Sequence, residues 1–322
     1  MNANLGAARK PKSLRKGSRF AIFAPASPAD AGESAPGIAE LQRLGFTVAL
    51  QPATSPTAPS QGYFASSTEN RVSEFLRAAT AMQNDAMIAL RGGYGSNYLL
   101  SADLQAQLPQ HDSPKCLVGY SDLSSLQIYL WQTSRWVTFY GPMIASGFRQ
   151  GAGAVKGYEP KSFLHAISNT AGGWELPLQS DCLFRGESQG VVLGGCLTLL
   201  QATMGTPWEL DTRDSILVLE DTGMKPYQVD RALMHLLQAR KFAEVRGIVL
   251  GEFPVAGPTI AGNPTISDVC RRILAPLNIP IVYGSPIGHT DRPMLTLPLG
   301  IRARLKASGE GTLEFLEAAV ID

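Results

Sequence analysis

A chain of 322 residues, 44% hydrophobic and 17% charged, is long enough for one large domain or two of ordinary size, and two are expected here. A formal net charge of +1 sets up no global field for nucleic acid or an acidic surface, so small and roughly neutral partners are expected. No run approaches the ~18 apolar residues that span a bilayer. The four cysteines (Cys116, Cys182, Cys196, Cys270) have neither CxxC spacing nor the density of a disulfide framework.

Residues 1–18, "MNANLGAARKPKSLRKGS", are basic and have no apolar h-region, which reads as a disordered or solvated tail on a soluble, cytoplasmic protein. From 19 to 145 the apolar runs "RFAIFAP", "FTVALQP", "AMIALRGG", "CLVGYSD" and "WVTFYGPM" alternate with amphipathic stretches. In "ENRVSEFLRAATAMQ", Val72, Phe75, Leu76 and Ala79 recur at helical spacing. Strand and helix in alternation predict a parallel sheet with helices on both faces. Residues 146–185 are irregular and rich in Gly, Ser and Lys, a linker region with some helix around Phe163 to Ile167. From 186 to 322 a second series, "GVVLGGCLTLL", "SILVLEDT", "VRGIVLGEF" and "IPIVYGSPIGH", ends in a hairpin turning at Ser308 to Gly311. This is a second, smaller domain of mixed α and β structure. The only low-complexity stretch inside the chain is Ser/Pro/Thr-rich, at 53–60.

Ligands collect at the carboxyl ends of parallel strands, where loops and helix N-termini converge. "RGGYGS" (91–96) and "GYSD" (119–122) both follow predicted strands and should share one sheet edge. A serine at such a corner is pushed out of the sheet, with the next backbone N–H facing the same space. Ser121 occupies that position, although the second glycine of G-x-S-x-G is missing and an N-cap role would also explain it. The glycine loop matches neither GxGxxG nor a P-loop, so it is a tight turn or a donor of backbone N–H groups rather than a nucleotide site.

A serine needs a base. His235 and His165 lie in helical stretches and His111 in a polar loop, which leaves His289 in "GSPIGHTDRP", directly after a strand-like run. The base needs an acid to fix its tautomer, and "SILVLEDTG" places Glu220 and Asp221 at the end of an apolar strand. Asp221 suits a cap on the helix starting near Pro226, leaving Glu220 as the orienting acid. Metal-ligand spacing is lacking. Cys196, at a Gly-Gly turn opening a helix, is a rival nucleophile or a small buried residue.

Ser121, Glu220 and His289 each fall on a strand-end loop, in that order. Together with "RGGYGSNYLL", "LVGYSDLSSLQ", "VTFYGPM", "GTPWEL", "ILVLEDTGMKPYQVDRAL", "GIVLGEF", "PIGHT" and "LPLG", they give a sequence that resembles the LD-carboxypeptidase family of serine peptidases. These are the murein tetrapeptide carboxypeptidases, a family that also contains the microcin C self-immunity peptidases. The resemblance runs from about residue 19 to 317. It implies a glutaminase-like (flavodoxin-like) N-terminal domain carrying the nucleophile Ser121, and a C-terminal domain carrying Glu220 and His289. It also implies an oxyanion hole from the Gly93 and Asp122 amides, no metal or organic cofactor, and commonly a homodimer. One departure is Gly194-Gly195-Cys196, where relatives usually read Gly-Gly-Asn; cysteine caps a helix poorly.

The implied reaction is hydrolysis of the amide between the L-centre of a diamino acid and a terminal D-alanine in a small murein peptide, with no nucleic-acid or membrane partner. Arg91, beside the glycine loop, suits the free carboxylate, and a salt bridge between loops would equally explain it. Arg231 and Lys225 are reserves; Arg231 could instead pair with Asp230 or Glu220. The alternatives are cleavage of aminoacyl adenylate analogues, with Trp174 or Trp208 as the adenine platform, and a non-catalytic two-lobed peptide-binding protein.

Overall fold

Apolar runs without alternation are stable only where a sheet is covered on both faces. In the computed structural model, which describes residues 6–50, 62–109, 113–255 and 262–322, five such runs form one sheet. β1 (Arg19–Phe23), β2 (Thr47–Leu50), β3 (Ala86–Ala89), β4 (Cys116–Gly119) and β5 (Thr138–Tyr140) pair in parallel in the order β2-β1-β3-β4-β5. Every residue of β3, β4 and β5 is buried. The connecting helices are α1 (Ala31–Arg43), α2 (Thr68–Thr80), α3 (Ala102–Gln107) and α4 (Ser124–Ser134). Local chemistry starts them: Asp30 and Glu33 form a reciprocal capping box on α1, and Ser67 caps α2. β3 and β4 are parallel neighbours, so the loops at 91–96 and 120–122 leave the same sheet edge, as the strand pattern predicts.

The second half is mixed α/β. After α5 (Pro160–Ser168) come β6 (Trp174–Pro177), β7 (Asp181–Phe184), β8 (Gly186–Cys196), α6 (Leu197–Ala202), β9 (Ser215–Glu220), α7 (Pro226–Gln238), β10 (Gly247–Gly251), α8 (Ile266–Leu274) and β11 (Ile281–Ser285). Three short strands follow, β12 (Leu297–Leu299), β13 (Arg302–Ala307) and β14 (Thr312–Phe315). The second sheet runs β6-β14-β13-β8-β9-β10-β11-β7. Its centre, β8 to β11, is parallel, and the flanking pairs are antiparallel. β13 and β14 form the hairpin expected from the turn at 308–311.

Three features depart from the sequence reading. Residues 6–18 are not a solvated tail: Arg9 bridges to Trp136, Lys12 bridges to Ile321, and Leu14 is buried. Two of the basic side chains are held as well: Arg9 donates to the Pro109 carbonyl at 2.8 Å and Lys10 is bonded to Glu317 at 2.6 Å. The stretch read as linker, 146–185, contains the helix expected near Phe163, but its second half also supplies β6 and β7, the two outer strands of the second sheet. Finally, β12 returns to the first sheet and pairs antiparallel with β5. The 53–60 stretch and His111 lie outside the described residues.

Candidate active site

The corner after β4 is strained. Ser121 has φ 63, a left-handed conformation that a non-glycine residue rarely adopts, and a single helical turn at 121–123 leads from it into α4. The loop after β3 comes up against this corner. A Cβ built on Gly92 would lie 2.9 Å from both Cβ and Oγ of Ser121 and 3.4 Å from the Asp122 amide nitrogen, so only glycine leaves the hydroxyl approachable. Gly92→Ala should therefore lower kcat/KM by about 10²-fold, the typical cost of misplacing a reacting group. Steady-state kinetics beside a thermal melt would show activity falling far more than stability. Among the described residues, the Gly93 amide donates to no protein acceptor, and Asp122 has its N–H at the open start of a helical turn.

Two polar clamps fix this geometry. Ser96 donates its N–H to Asp122 Oδ2 at 2.8 Å and its hydroxyl to the Asp122 carbonyl at 2.5 Å. Burial pushes the Asp122 carboxyl above its usual range, against the hydrogen bonds from Ser96 and the Arg71 charge. Arg71 of α2, 1% exposed, donates to the Pro25 and Gly95 carbonyls at 2.6 and 2.7 Å. The sequence reading missed it, although its position four residues before Phe75 puts it on the buried face of α2.

Across the gap, Glu220 ends β9 and is fully buried. Its Oε2 accepts two bonds from one residue, the His289 backbone N–H at 2.9 Å and Nδ1 at 2.8 Å. Gly288 makes that double approach possible: its φ is +67, and a Cβ there would lie 2.4 Å from Glu220 Cδ. The other oxygen, Oε1, accepts from Tyr140 Oη at 2.5 Å. Burial favours the neutral form of Glu220, but the charge and hydrogen bonds of His289, with the bond from Tyr140, outweigh it and hold the carboxyl below its usual range. Burial likewise opposes the imidazolium of His289, and the charge and hydrogen bond of Glu220 overcome this, raising its pKa. The Tyr120 ring, just before Ser121, packs edge-on against His289 with centroids 5.1 Å apart. Ser121 Oγ and His289 share no hydrogen bond among the described residues; such contacts tighten when substrate is held.

Cys196 is no rival nucleophile. Its side chain is buried, and desolvation, reinforced by Glu220 and Asp221, pushes the thiol well above its usual range. It opens α6 without a side-chain cap. Asp221 supplies that cap from the next strand end, accepting from the Thr198 N–H at 2.8 Å and hydroxyl at 2.6 Å. The sequence reading made Asp221 the cap of the helix starting near Pro226; that helix does start there, but Lys225 is its capping residue, with its N–H bonded to the Gln228 side chain. The capping demand that cysteine leaves on α6 accounts for the difference. Asp221→Ala should cost about 1 kcal/mol, measurable as a lower urea midpoint with unchanged slope.

The remaining residues singled out in the sequence sit as follows. Arg91 is 3.7 Å from Glu33 and donates to the Pro28 carbonyl, so it makes an ion pair, though with the first turn of α1 rather than with another loop. Arg272 pairs with Asp230, and Glu220 is engaged by His289 and Tyr140, so Arg231 has neither expected partner. Trp174 stacks between His165 and Phe315, and Trp208 packs edge-on against Tyr129 of α4, so neither is a free platform. His235 bonds Gln201 on the surface of α7.

A cavity of about 180 Å³ opens beside His289, lined by Tyr120, Ser146, Gln150, Lys156, Thr222 and Asp291 among others. Among the described residues, no three His, Cys, Asp or Glu side chains converge as a metal site, and no helix is long and apolar enough to cross a membrane.

Two family models match the chain, the LD-carboxypeptidase N-terminal domain over residues 20–141 and the LD-carboxypeptidase C-terminal domain over residues 189–305. The chain is 29% identical over 302 residues to a "Probable murein peptide carboxypeptidase" of Bacillus subtilis, covering 93% of this chain and 92% of that protein. It is 27% identical to the microcin C7 self-immunity protein of Escherichia coli, covering 88% of each. The crystal structure of muramoyltetrapeptide carboxypeptidase from Oxalobacter formigenes superposes with a TM-score of 0.80 at 28% identity, covering 95% of this chain and 100% of that one. With both domain models matched and a fold shared along almost its whole length, the chain belongs to the LD-carboxypeptidase family of serine peptidases.

Proposed function

We propose that this carboxypeptidase releases the terminal D-alanine from murein tetrapeptides by cleaving its amide to the L-centre of a diamino acid, with Ser121 as nucleophile, His289 as base and Glu220 as orienting acid. The observation that carries this reading is the pairing of the buried Glu220 carboxylate with the half-buried His289, 2.8 Å apart, beside a strained serine corner. Ser121 Oγ attacks the amide carbon while His289 takes its proton. The oxyanion is met by the N–H groups of Gly93 and Asp122. The C–N bond then breaks as the proton passes to the departing amine, and water resolves the acyl-enzyme by the same route. The C-terminal carboxylate meets Lys156 at the cavity, with Arg91 as the alternative cation on the glycine-loop side. The enzyme acts as a homodimer in the cytoplasm.

D-alanine release from a free tetrapeptide, followed by mass spectrometry beside an aminoacyl-sulfamoyl adenylate, tests this reading. D-alanine release with an intact adenylate is the expected outcome, consistent with the packed positions of Trp174 and Trp208. Cleavage of the adenylate alone would move the protein to the immunity activity. Turnover of neither would favour a peptide-binding role.

A further inference from the structure

Tyr140 lies at the end of β5 in the first sheet, and its hydroxyl stands where the two halves of the site meet. It donates to Glu220 Oε1 at 2.5 Å, from the face opposite His289. The Tyr140 hydroxyl oxygen itself accepts from the Ser121 backbone N–H at 3.4 Å and from the Ser124 hydroxyl at 3.5 Å, and Ser124 Oγ in turn accepts from the Cys196 N–H at 3.0 Å. One fully buried phenol thus touches the strand end that carries the acid and the corner that carries the serine. Burial, reinforced by Glu220, pushes this phenol well above its usual range, so it remains a donor.

We propose that Tyr140 is a positioning residue: it fixes the Glu220 carboxylate, moderates the negative charge that carboxylate presents to His289, and ties the pair to the backbone of Ser121. This rests on the roles proposed for Ser121, Glu220 and His289. A donor on one carboxylate oxygen draws charge from the other, and the effect is large where water is excluded. Removing it leaves Glu220 ionised against the two His289 donors but with fuller charge on Oε2, so the imidazolium becomes more stable. The other groups around the pair are accounted for. His289 also feels Asp221 and the Tyr120 ring, and it shares its cavity with Lys156 and Asp291. Beyond it, Thr290 and Arg292 hold Glu252. Glu220 additionally faces the Tyr120 phenol and the Cys196 thiol, both kept neutral by burial.

The test is Tyr140→Phe, with kinetics across the pH range and an NMR titration of labelled histidine, the His289 signal being assigned by its loss in His289→Gln. We expect kcat to fall about 10- to 100-fold, the cost of a hydrogen bond to a charged group, with KM changed less than about two-fold. The titration of His289 and the acid limb of kcat/KM should both move to higher pH. Site-specific 3-fluorotyrosine, which keeps the hydroxyl and strengthens its donation, should move them to lower pH and serves if Tyr140→Phe does not fold. An unmoved titration, or one that moves down in Tyr140→Phe, would overturn the proposal. Because the titration needs no turnover, it decides the role of Tyr140 even if Ser121→Ala proves active and the proposed site is wrong.

Discussion

Ser121→Ala should lose about 10⁴-fold or more in kcat while folding and binding peptide like the wild type. Loss of a serine nucleophile removes the covalent route altogether, leaving only what substrate binding and the oxyanion donors supply. The structural cost is small. Ser121 Oγ makes no hydrogen bond among the described residues, and alanine tolerates φ 63 about as poorly as serine does, so stability should stay within about 0.5 kcal/mol of wild type. Single-turnover kinetics with a matched urea melt would separate the two effects. A variant that loses stability along with activity would point to a cap or a packing role for the hydroxyl.

Glu220→Gln carries the second large effect. The substitution is nearly isosteric, but Oε2 accepts from both N–H and Nδ1 of His289, and an amide nitrogen turned to that side would face two donors. Turning the amide round to spare His289 would set its NH₂ against the Tyr140 hydroxyl instead. The imidazole is then held in the wrong tautomer or not held at all, and kcat should fall about 10⁴-fold. The pH dependence gives the sign. In the wild type Glu220 raises the His289 pKa against the lowering effect of burial, so the acid limb of kcat/KM lies above the ordinary histidine value of about 6.5. Without the carboxylate charge, burial dominates and the acid limb should move to lower pH even as the plateau collapses. That is the opposite of the movement expected for Tyr140→Phe, so the two variants distinguish loss of charge from loss of its modulation.

Much of this arrangement is legible in the residues themselves. The five apolar runs of the first half correspond to β1 to β5 because the inner strands of a parallel sheet are apolar on both faces, although β2, at the edge, leaves Thr47 and Ala49 exposed. Ser121, Glu220 and His289 could be singled out because each lies at or just beyond the end of a strand-like run, and a chain with four histidines offers few bases. What could not be read is what the packing of one half on the other creates. Tyr140 is one more aromatic residue in "VTFYGPM" until the end of β9 comes to rest against it. Asp221 reads as a cap for the helix that follows it in sequence, whereas α6, which precedes it, has the greater need. β12 is three residues long and leaves its own half to pair with β5, which no local pattern announces. The basic look of residues 1–18 conceals Leu14, an apolar anchor in the core that Ala8 packs against. Arg71 is different, since its phase on α2 already placed it inward, but a charge on an amphipathic helix is ordinarily assigned to solvent.

The central claim is that Ser121 is the nucleophile, and the most direct test is covalent capture. Purified protein would be treated with a fluorophosphonate, digested, and mapped by tandem mass spectrometry, with D-alanine release from a tetrapeptide followed in the same sample. The account predicts one adduct, on the peptide containing Ser121, forming in step with loss of D-alanine release and absent in Ser121→Ala. Release of D-alanine that continues with Ser121 fully modified, or an adduct on another residue that tracks the loss of activity, would contradict it.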